Sequence, residues 1–202
     1  MTLSIEEQRR VDAAIKTAEL RTDGEIVCVI ARSSSDYLTY AVAWSALIAL
    51  ASPWPLIAAT QLTVQQILLV QVFAFAALYL ALSSSGLRHR LAPRRVRRAE
   101  AHRAAMEQFM IRGMAKKQNR AGVLIFVSLA EHYVRIVADD GIAAKVDQSV
   151  WRGAVDTLLF HIRNGDMASG FISAVEQCGG VLAQHFPASG AADELPDKIY
   201  VI

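Results

Sequence analysis

The chain has 202 residues, a formal net charge of +2 and a 53% share of hydrophobic residues. This length allows one folded core beside a membrane segment, and the small net charge excludes attraction of the whole chain to polyanions. The first ten residues contain no apolar run, so no cleavable signal peptide is expected. The two cysteines, Cys28 and Cys178, lie in separate apolar patterns, and we expect them to be reduced and buried in the core.

The first predicted elements are a helix and a strand. Ser4 and Glu7 have the spacing of a capping box, which predicts a helix that opens directly after Ser4. Residues 22–24 (Thr-Asp-Gly) are expected to end that helix. The apolar run Glu25–Ala31 then predicts a buried strand.

A stretch without any charged residue or histidine follows, between Asp36 and Arg88. It contains two apolar runs of membrane-spanning length, Leu38–Ala58 and Leu62–Leu82, joined by three residues. A buried hairpin in a soluble core is the alternative, but its outward face would normally carry charges. The sequence therefore predicts a transmembrane helical hairpin at 37–87 that interrupts a folded domain made of residues 1–36 and 88–202.

A basic segment follows the second span directly. It contains six arginines, namely Arg88, Arg90, Arg94, Arg95, Arg97 and Arg98. Arginines beside a span favour the cytoplasmic side, so both termini are expected there, with the arginines fixing the topology and touching anionic lipid headgroups. Nucleic-acid binding is not expected, because no aromatic platform or known binding motif accompanies the arginines.

The remaining sequence predicts an α/β domain. The predicted elements after the hairpin are a helix at Arg95–Met114, a strand at Gly122–Leu129, a tight turn at 130–132, a strand at Tyr133–Asp139, a helix from Gly141 to Ile162, a helix at Met167–His185 and, at Lys198–Ile202, either an edge strand or an extended strap. A strand, a helix and another strand in succession predict parallel pairing of the first two strands. The tight turn predicts antiparallel pairing of the second and third. The fold class is a small mixed sheet flanked by helices.

Three segments carry a resemblance to a known family. TDGEIVCVIARSSSDY, from Thr22, AGVLIFVSLAEHYVRIVADDGIAAKV, from Ala121, and DELPDKI, from Asp193, together resemble the TPM domain family, which includes plant thylakoid-lumen and bacterial envelope proteins. The chain is similar to a branch with a membrane hairpin. The resemblance implies an α/β/α sandwich and a location in a bacterial inner (plasma) membrane. It also implies calcium binding with weak acid phosphatase activity in some members, and assembly or repair of membrane complexes in others.

The candidate chemistry lies in four acidic residues. Asp139 and Asp140 stand at the carboxyl end of a predicted strand, where α/β proteins commonly bind ligands. Together with Glu25 and Asp147 they could supply oxygen ligands to calcium or magnesium, the candidate cofactors. The alternative is that Asp139 or Asp140 only caps the following helix. Ser128 ends the second strand, with no evident base beside it in the sequence.

Two functions follow from these features. The first is a membrane-anchored accessory or interaction module, with the membrane and a membrane protein as partners. The second is a metal-dependent hydrolase of the phosphatase type that uses the acidic strand end around Asp139 and Asp140. The scattered histidines and the absence of a nucleotide-binding or nucleophile motif add no third function.

Overall fold

The computed structural model describes residues 3–114, 121–189, 196 and 198–202. The described chain forms two compact units, one made of residues 1–34 and 101–202 and the other of residues 35–100. Each unit is described by itself.

A four-stranded mixed sheet is the centre of the first unit. Its strands are β1 (Glu25–Ala31), β2 (Gly122–Ser128), β3 (Tyr133–Ala138) and β4 (Ile199–Val201), in the order β3-β2-β1-β4. β1 is parallel to β2 and to β4, and β2 is antiparallel to β3. The predicted strand directions are confirmed. β1 and β2 are buried along their whole length, as expected of their mainly apolar sequences.

Helices cover both faces of this sheet. α1 (Ile5–Glu19), α8 (Val150–Arg163) and α9 (Met167–His185) form the main core with one face, which includes Trp151 and both cysteines. The carboxyl half of α6 (Arg94–Ile111) packs Ala105 and Phe109 against the other face. The predicted mixed sheet flanked by helices is therefore confirmed.

Local capping fixes several helix ends where the sequence predicts them. Ser4 N donates to Glu7 Oε2 at 2.7 Å and Glu7 N donates to Ser4 Oγ at 3.2 Å, which forms the capping box of α1. The Asp166 side chain accepts the Ser169 N–H at 3.1 Å, so α9 begins at Met167. At the other end of α6, Gly113 has φ +75°, and the helix stops at Ile111 rather than Met114.

The helix predicted from Gly141 to Ile162 is wrong in one respect. The chain forms a single turn, α7 (Asp140–Ala143), and resumes as α8 only at Val150. The Asp147 carboxylate accepts the Ser149 N–H at 2.7 Å, a side-chain turn that competes with helix continuation. Asp147 therefore lies between two helices and not inside one.

The second unit contains a helical hairpin. Its elements are α2 (Leu38–Ala51), α3 (Pro53–Ala59), α4 (Val64–Leu82) and α5 (Ser85–Leu91). α2 and α3 meet at Pro53, and a capping box between Thr63 and Gln66 opens α4. The short helix α5 follows α4 after Ser83 and Ser84 and ends at Leu91, before Pro93.

Two segments of this unit are long and apolar enough to cross a membrane, namely Leu38–Ala59 with 22 residues and Val64–Leu82 with 19. In their most apolar 18-residue windows, only 17% and 6% of the residues are buried. These small shares differ from those of a core helix in a soluble protein, which is mostly buried. Both predicted spans are therefore helical, with the length and the apolar composition that crossing a membrane requires.

Candidate functional site

Of the four predicted acidic site residues, Glu25 and Asp139 lie at the same edge of the sheet. Glu25 opens β1 opposite Gly122, the first residue of β2, and the Asp139 N–H donates to the Gly122 carbonyl at 2.9 Å. Glu25 and Asp139 therefore lie at the same edge of the sheet. This is the edge where the parallel strands β1 and β2 begin, because β3 runs antiparallel to β2. The comparison with ligand sites at the carboxyl ends of parallel strands does not apply to it.

Asp139 has the capping role that the sequence offers as an alternative. It is the N-cap of α7, and its Oδ1 accepts the Asp140 N–H at 2.7 Å. Asp139 is 3% exposed, whereas Asp140 is exposed to solvent. The carboxylate of Asp139 is thus already engaged with the start of a helix.

Asp147 is exposed beside the start of α8. Hydrogen bonds from Ser149 hold the pKa of the Asp147 carboxyl below its usual value of 3.8. Within residues 3–114, 121–189, 196 and 198–202, no group of three or more His, Cys, Asp or Glu side chains is arranged to hold a metal ion. A calcium or magnesium site formed by Glu25, Asp139, Asp140 and Asp147 thus stays a prediction.

A buried polar network lies at the opposite edge, where β1 and β2 end. Ser128, the last residue of β2, is 1% exposed, and Glu131 in the following turn is 8% exposed. The Ser128 hydroxyl donates to Glu131 Oε2 and accepts a hydrogen bond from Ser34 Oγ at 2.9 Å. Glu131 Oε1 accepts from Ser34 N at 3.1 Å and from Ser33 Oγ at 3.3 Å. The expectation that no base accompanies Ser128 is wrong.

This network resembles a serine–carboxylate pair, but its burial gives it a different role. A nucleophilic serine must reach its substrate, whereas Ser128 is almost completely buried. Four hydrogen bonds among the serines and Glu131 instead join the segment that leaves β1 to the turn between β2 and β3. The spacing of Ser128 and Glu131, three residues apart, is the sequence signal that could have revealed the pair.

A small cavity lies beside the same turn. It has a volume of about 100 Å³, and its lining includes Val127, Ser128 and Val134 of the sheet, Leu159 and Ile162 of α8, and His132 and Arg163. Typical ligand pockets have volumes of about 300–1,000 Å³. The cavity is thus too small for a phosphoester substrate of ordinary size.

The cysteines are confirmed as core residues. Both are fully buried, Cys28 in β1 and Cys178 in α9. Burial raises the pKa of the Cys28 thiol well above its usual value and that of Cys178 to about 12. Neither thiol therefore has the thiolate character that cysteine catalysis or metal binding needs.

The arginines belong to the second unit. Arg88 and Arg90 lie in α5, and the other four lie in the first turns of α6. Arg90, Arg94, Arg95 and Arg98 are exposed, and Arg88 and Arg97 are half-buried.

The fold and the comparisons with known proteins agree on the class of protein. The mixed four-stranded sheet between helices is an α/β fold, and it is similar to the solution NMR structure of BA42 from the psychrophilic bacterium Bizionia argentinensis, with a TM-score of 0.62 and 19% sequence identity. That similarity covers 100% of this chain and 96% of BA42.

A family model described as the TPM domain matches residues 93–181. The chain carries a TPM domain, and the resemblance seen in the sequence is confirmed. The matched range contains β2 and β3. β1 precedes the hairpin in the sequence, lies outside the matched range and pairs with β2 in the sheet. No curated protein matches the chain.

Proposed function

We propose that this protein is anchored in a bacterial inner membrane by its helical hairpin and presents its TPM domain at the membrane surface as an accessory or interaction module. The observation that carries the proposal is the exposure of large apolar side chains along the hairpin. Trp54 is 79% exposed, Phe73 71% and Leu80 71%. In water such a surface would be costly, and in lipid it is the favoured one.

The length of α4 fits this role. Its 19 residues span about 28 Å at 1.5 Å per residue, close to the thickness of a hydrocarbon core. Its exposed side chains lie on several faces, as in a helix surrounded mainly by lipid. The length and exposure of α4 thus support a transmembrane helix rather than a helix of a soluble protein.

The packing inside the hairpin also supports the proposal. The buried residues of α2 are Ala41, Ser45 and Ala49, spaced four apart on one face, and α2 packs against α4. Small residues at helix contacts are typical of membrane hairpins, because they let the backbones approach closely. The Ser45 hydroxyl donates to the Ala41 carbonyl at 2.7 Å, so its buried polar group is satisfied within the helix.

A matched pair of substitutions tests the anchor. Phe73→Arg places a charge on an exposed position of α4, and Phe160→Arg does the same on α8, where Phe160 is 63% exposed. An arginine near the middle of a span costs about 3 kcal/mol on insertion scales. We expect the wild type and Phe160→Arg to stay in the membrane pellet after alkaline carbonate extraction, and Phe73→Arg to shift to the supernatant or to be degraded. A wild type released by carbonate would refute the anchor.

The orientation has its own test. In the proposed topology both termini are cytoplasmic, and Gln61, between α3 and α4, faces the other side. Gln61→Cys should react with a membrane-impermeant maleimide in spheroplasts, whereas Gly180→Cys, exposed on α9, should react only after lysis. The reverse pattern would place the TPM domain outside the cytoplasm.

A further inference from the structure

The charge of the protein is concentrated beside the hairpin. Residues 35–100 contain six arginines and only two acids, Asp36 and Glu100, which gives them a net charge of +4. Because the whole chain carries +2, the remaining residues carry −2. The excess positive charge thus belongs entirely to the unit with the apolar helices.

The arginines of α6 stand where a helix disfavours them. Four of its first five residues are arginines, and its first turn contains no acidic residue. The exposed N–H groups at a helix start already make that end positive, and neighbouring like charges add repulsion. In the part of the chain that the structure describes, none of these arginines forms an ion pair. The local electrostatics therefore favour an external anion.

The position of α5 identifies the kind of anion. Within the second unit, α5 packs against both α2 and α4. His89 of α5 meets the ring of Tyr37, which precedes α2, with ring centroids 5.4 Å apart. Arg88 and Arg90 of α5 thus lie at the end of the hairpin where α2 begins and α4 ends, and two residues separate α6 from α5. That is the depth of the phosphate groups when the two helices span a bilayer.

We infer that Arg90, Arg94, Arg95 and Arg98 form a binding site for the phosphate headgroups of anionic phospholipids. This inference rests on the proposed membrane anchor. The four guanidinium groups are exposed, and each can donate paired hydrogen bonds to phosphate oxygens. Arg88 and Arg97, which are half-buried, add positive charge behind them. RNA is less favoured, because the site lies at the end of two apolar helices.

The proposed phosphate-binding site can be tested by measuring which phospholipids the protein retains. The full-length protein would be placed in nanodiscs of phosphatidylcholine with 10 mol% phosphatidylglycerol, and the lipids retained after ejection would be counted by native mass spectrometry. We expect the wild type to retain phosphatidylglycerol preferentially. Each arginine removed should lower this preference about fivefold, so Arg90→Gln, Arg94→Gln, Arg95→Gln should lose it by on the order of 100-fold.

A matched variant controls for charge. Arg9→Gln, Arg10→Gln, Arg21→Gln removes three exposed arginines from outside the second unit and should keep the wild-type preference. An equal preference in the two triple variants would overturn the site, as would a wild type without preference. Displacement of phosphatidylglycerol by millimolar inorganic phosphate would show a general phosphate site, and displacement only by an RNA oligonucleotide would show a nucleic-acid site. Either result would overturn the lipid assignment.

The two proposals fail differently. Flotation with vesicles of pure phosphatidylcholine reports only on the hairpin. Failure to float would refute the anchor. Flotation of the wild type and of both triple variants, without any preference for phosphatidylglycerol, would refute the arginine site alone.

Discussion

Glu131 accepts the backbone N–H of Ser34 at 3.1 Å, which joins two segments that are 97 positions apart in the chain. Ser34 lies just beyond β1 and Glu131 just beyond β2, so this contact closes the carboxyl edge of the parallel pair. The same carboxylate accepts the hydroxyl of Ser128. One buried side chain therefore organises the point where the chain leaves the sheet towards the hairpin.

Removal of this carboxylate should destabilise the TPM domain. Glu131→Ala leaves the Ser34 N–H and the hydroxyl of Ser128 without their acceptor, and we expect a loss of about 2–3 kcal/mol in the free energy of unfolding. Urea denaturation of the full chain in a mild detergent, followed by tryptophan fluorescence, measures the loss. Glu176→Ala, at an exposed position of α9, should change stability by less than about 0.5 kcal/mol. Equal stability of the two variants would contradict the structural role of Glu131.

Adjacent glycines of α9 should respond in opposite directions to alanine. A Cβ atom at Gly179 would lie 2.8 Å from the Ala18 Cβ atom of α1, whereas one at Gly180 meets nothing within 4 Å. Gly179→Ala should therefore cost about 1–3 kcal/mol through overpacking. Gly180→Ala should add about 0.5–1 kcal/mol through helix propensity. Thermal unfolding of the full chain distinguishes them, and a stabilised Gly179→Ala would disprove the close approach of α1 and α9.

The two roles offered for Asp139 make different predictions. As the cap of α7 it should tolerate asparagine, which caps equally well, and lose about 1 kcal/mol of stability on replacement by alanine. As a metal ligand it should not tolerate asparagine. Calorimetric titration of calcium and magnesium into the wild type and an Asp139→Asn, Asp140→Asn variant decides the second role. Saturable heat in the wild type that disappears in the variant would establish a metal site.

The native cysteines should be silent in labelling experiments. With its pKa raised to about 12, the Cys178 thiol has a thiolate fraction on the order of 1 in 10,000 at pH 8, and its burial blocks the reagent. Cys28 is buried and shifted in the same direction. We expect mass spectrometry to show maleimide on Gly180→Cys within minutes and none on the native thiols until denaturant is added. Rapid labelling of folded wild type would show that the core opens.

The sequence predicts the elements that local patterns control. The bounds of β1 and α9 agree with the structure to the residue, because a mainly apolar run marks β1 and a capping aspartate, Asp166, marks the start of α9. The break between α7 and α8 depends on the hydrogen bond from the Ser149 N–H to the Asp147 carboxylate. The apolar residues on both sides of this break keep helical spacing, so the sequence pattern predicts one continuous helix there.

The sites are harder to predict because they depend on tertiary pairing. The sequence shows that Asp139 and Asp140 follow β3, but only the pairing of β3 with β2 places them at the edge of the sheet where β1 and β2 begin. The network around Glu131 needs Ser33 and Ser34 to arrive from beyond β1, which no spacing in the sequence reveals. The arginine segment stands out in the sequence because its six arginines lie within eleven consecutive residues.

The place of the hairpin within the fold imposes an order on biogenesis. β1 pairs in register with β2, and Glu25 faces Gly122, which is synthesised 97 residues later. At elongation rates of about 5–20 residues per second, β1 waits roughly 5–20 s for its partner strand. Both apolar helices leave the ribosome during that interval. In the proposed membrane anchor, the hairpin is therefore available for insertion before the sheet can close, and the α/β domain completes its folding afterwards.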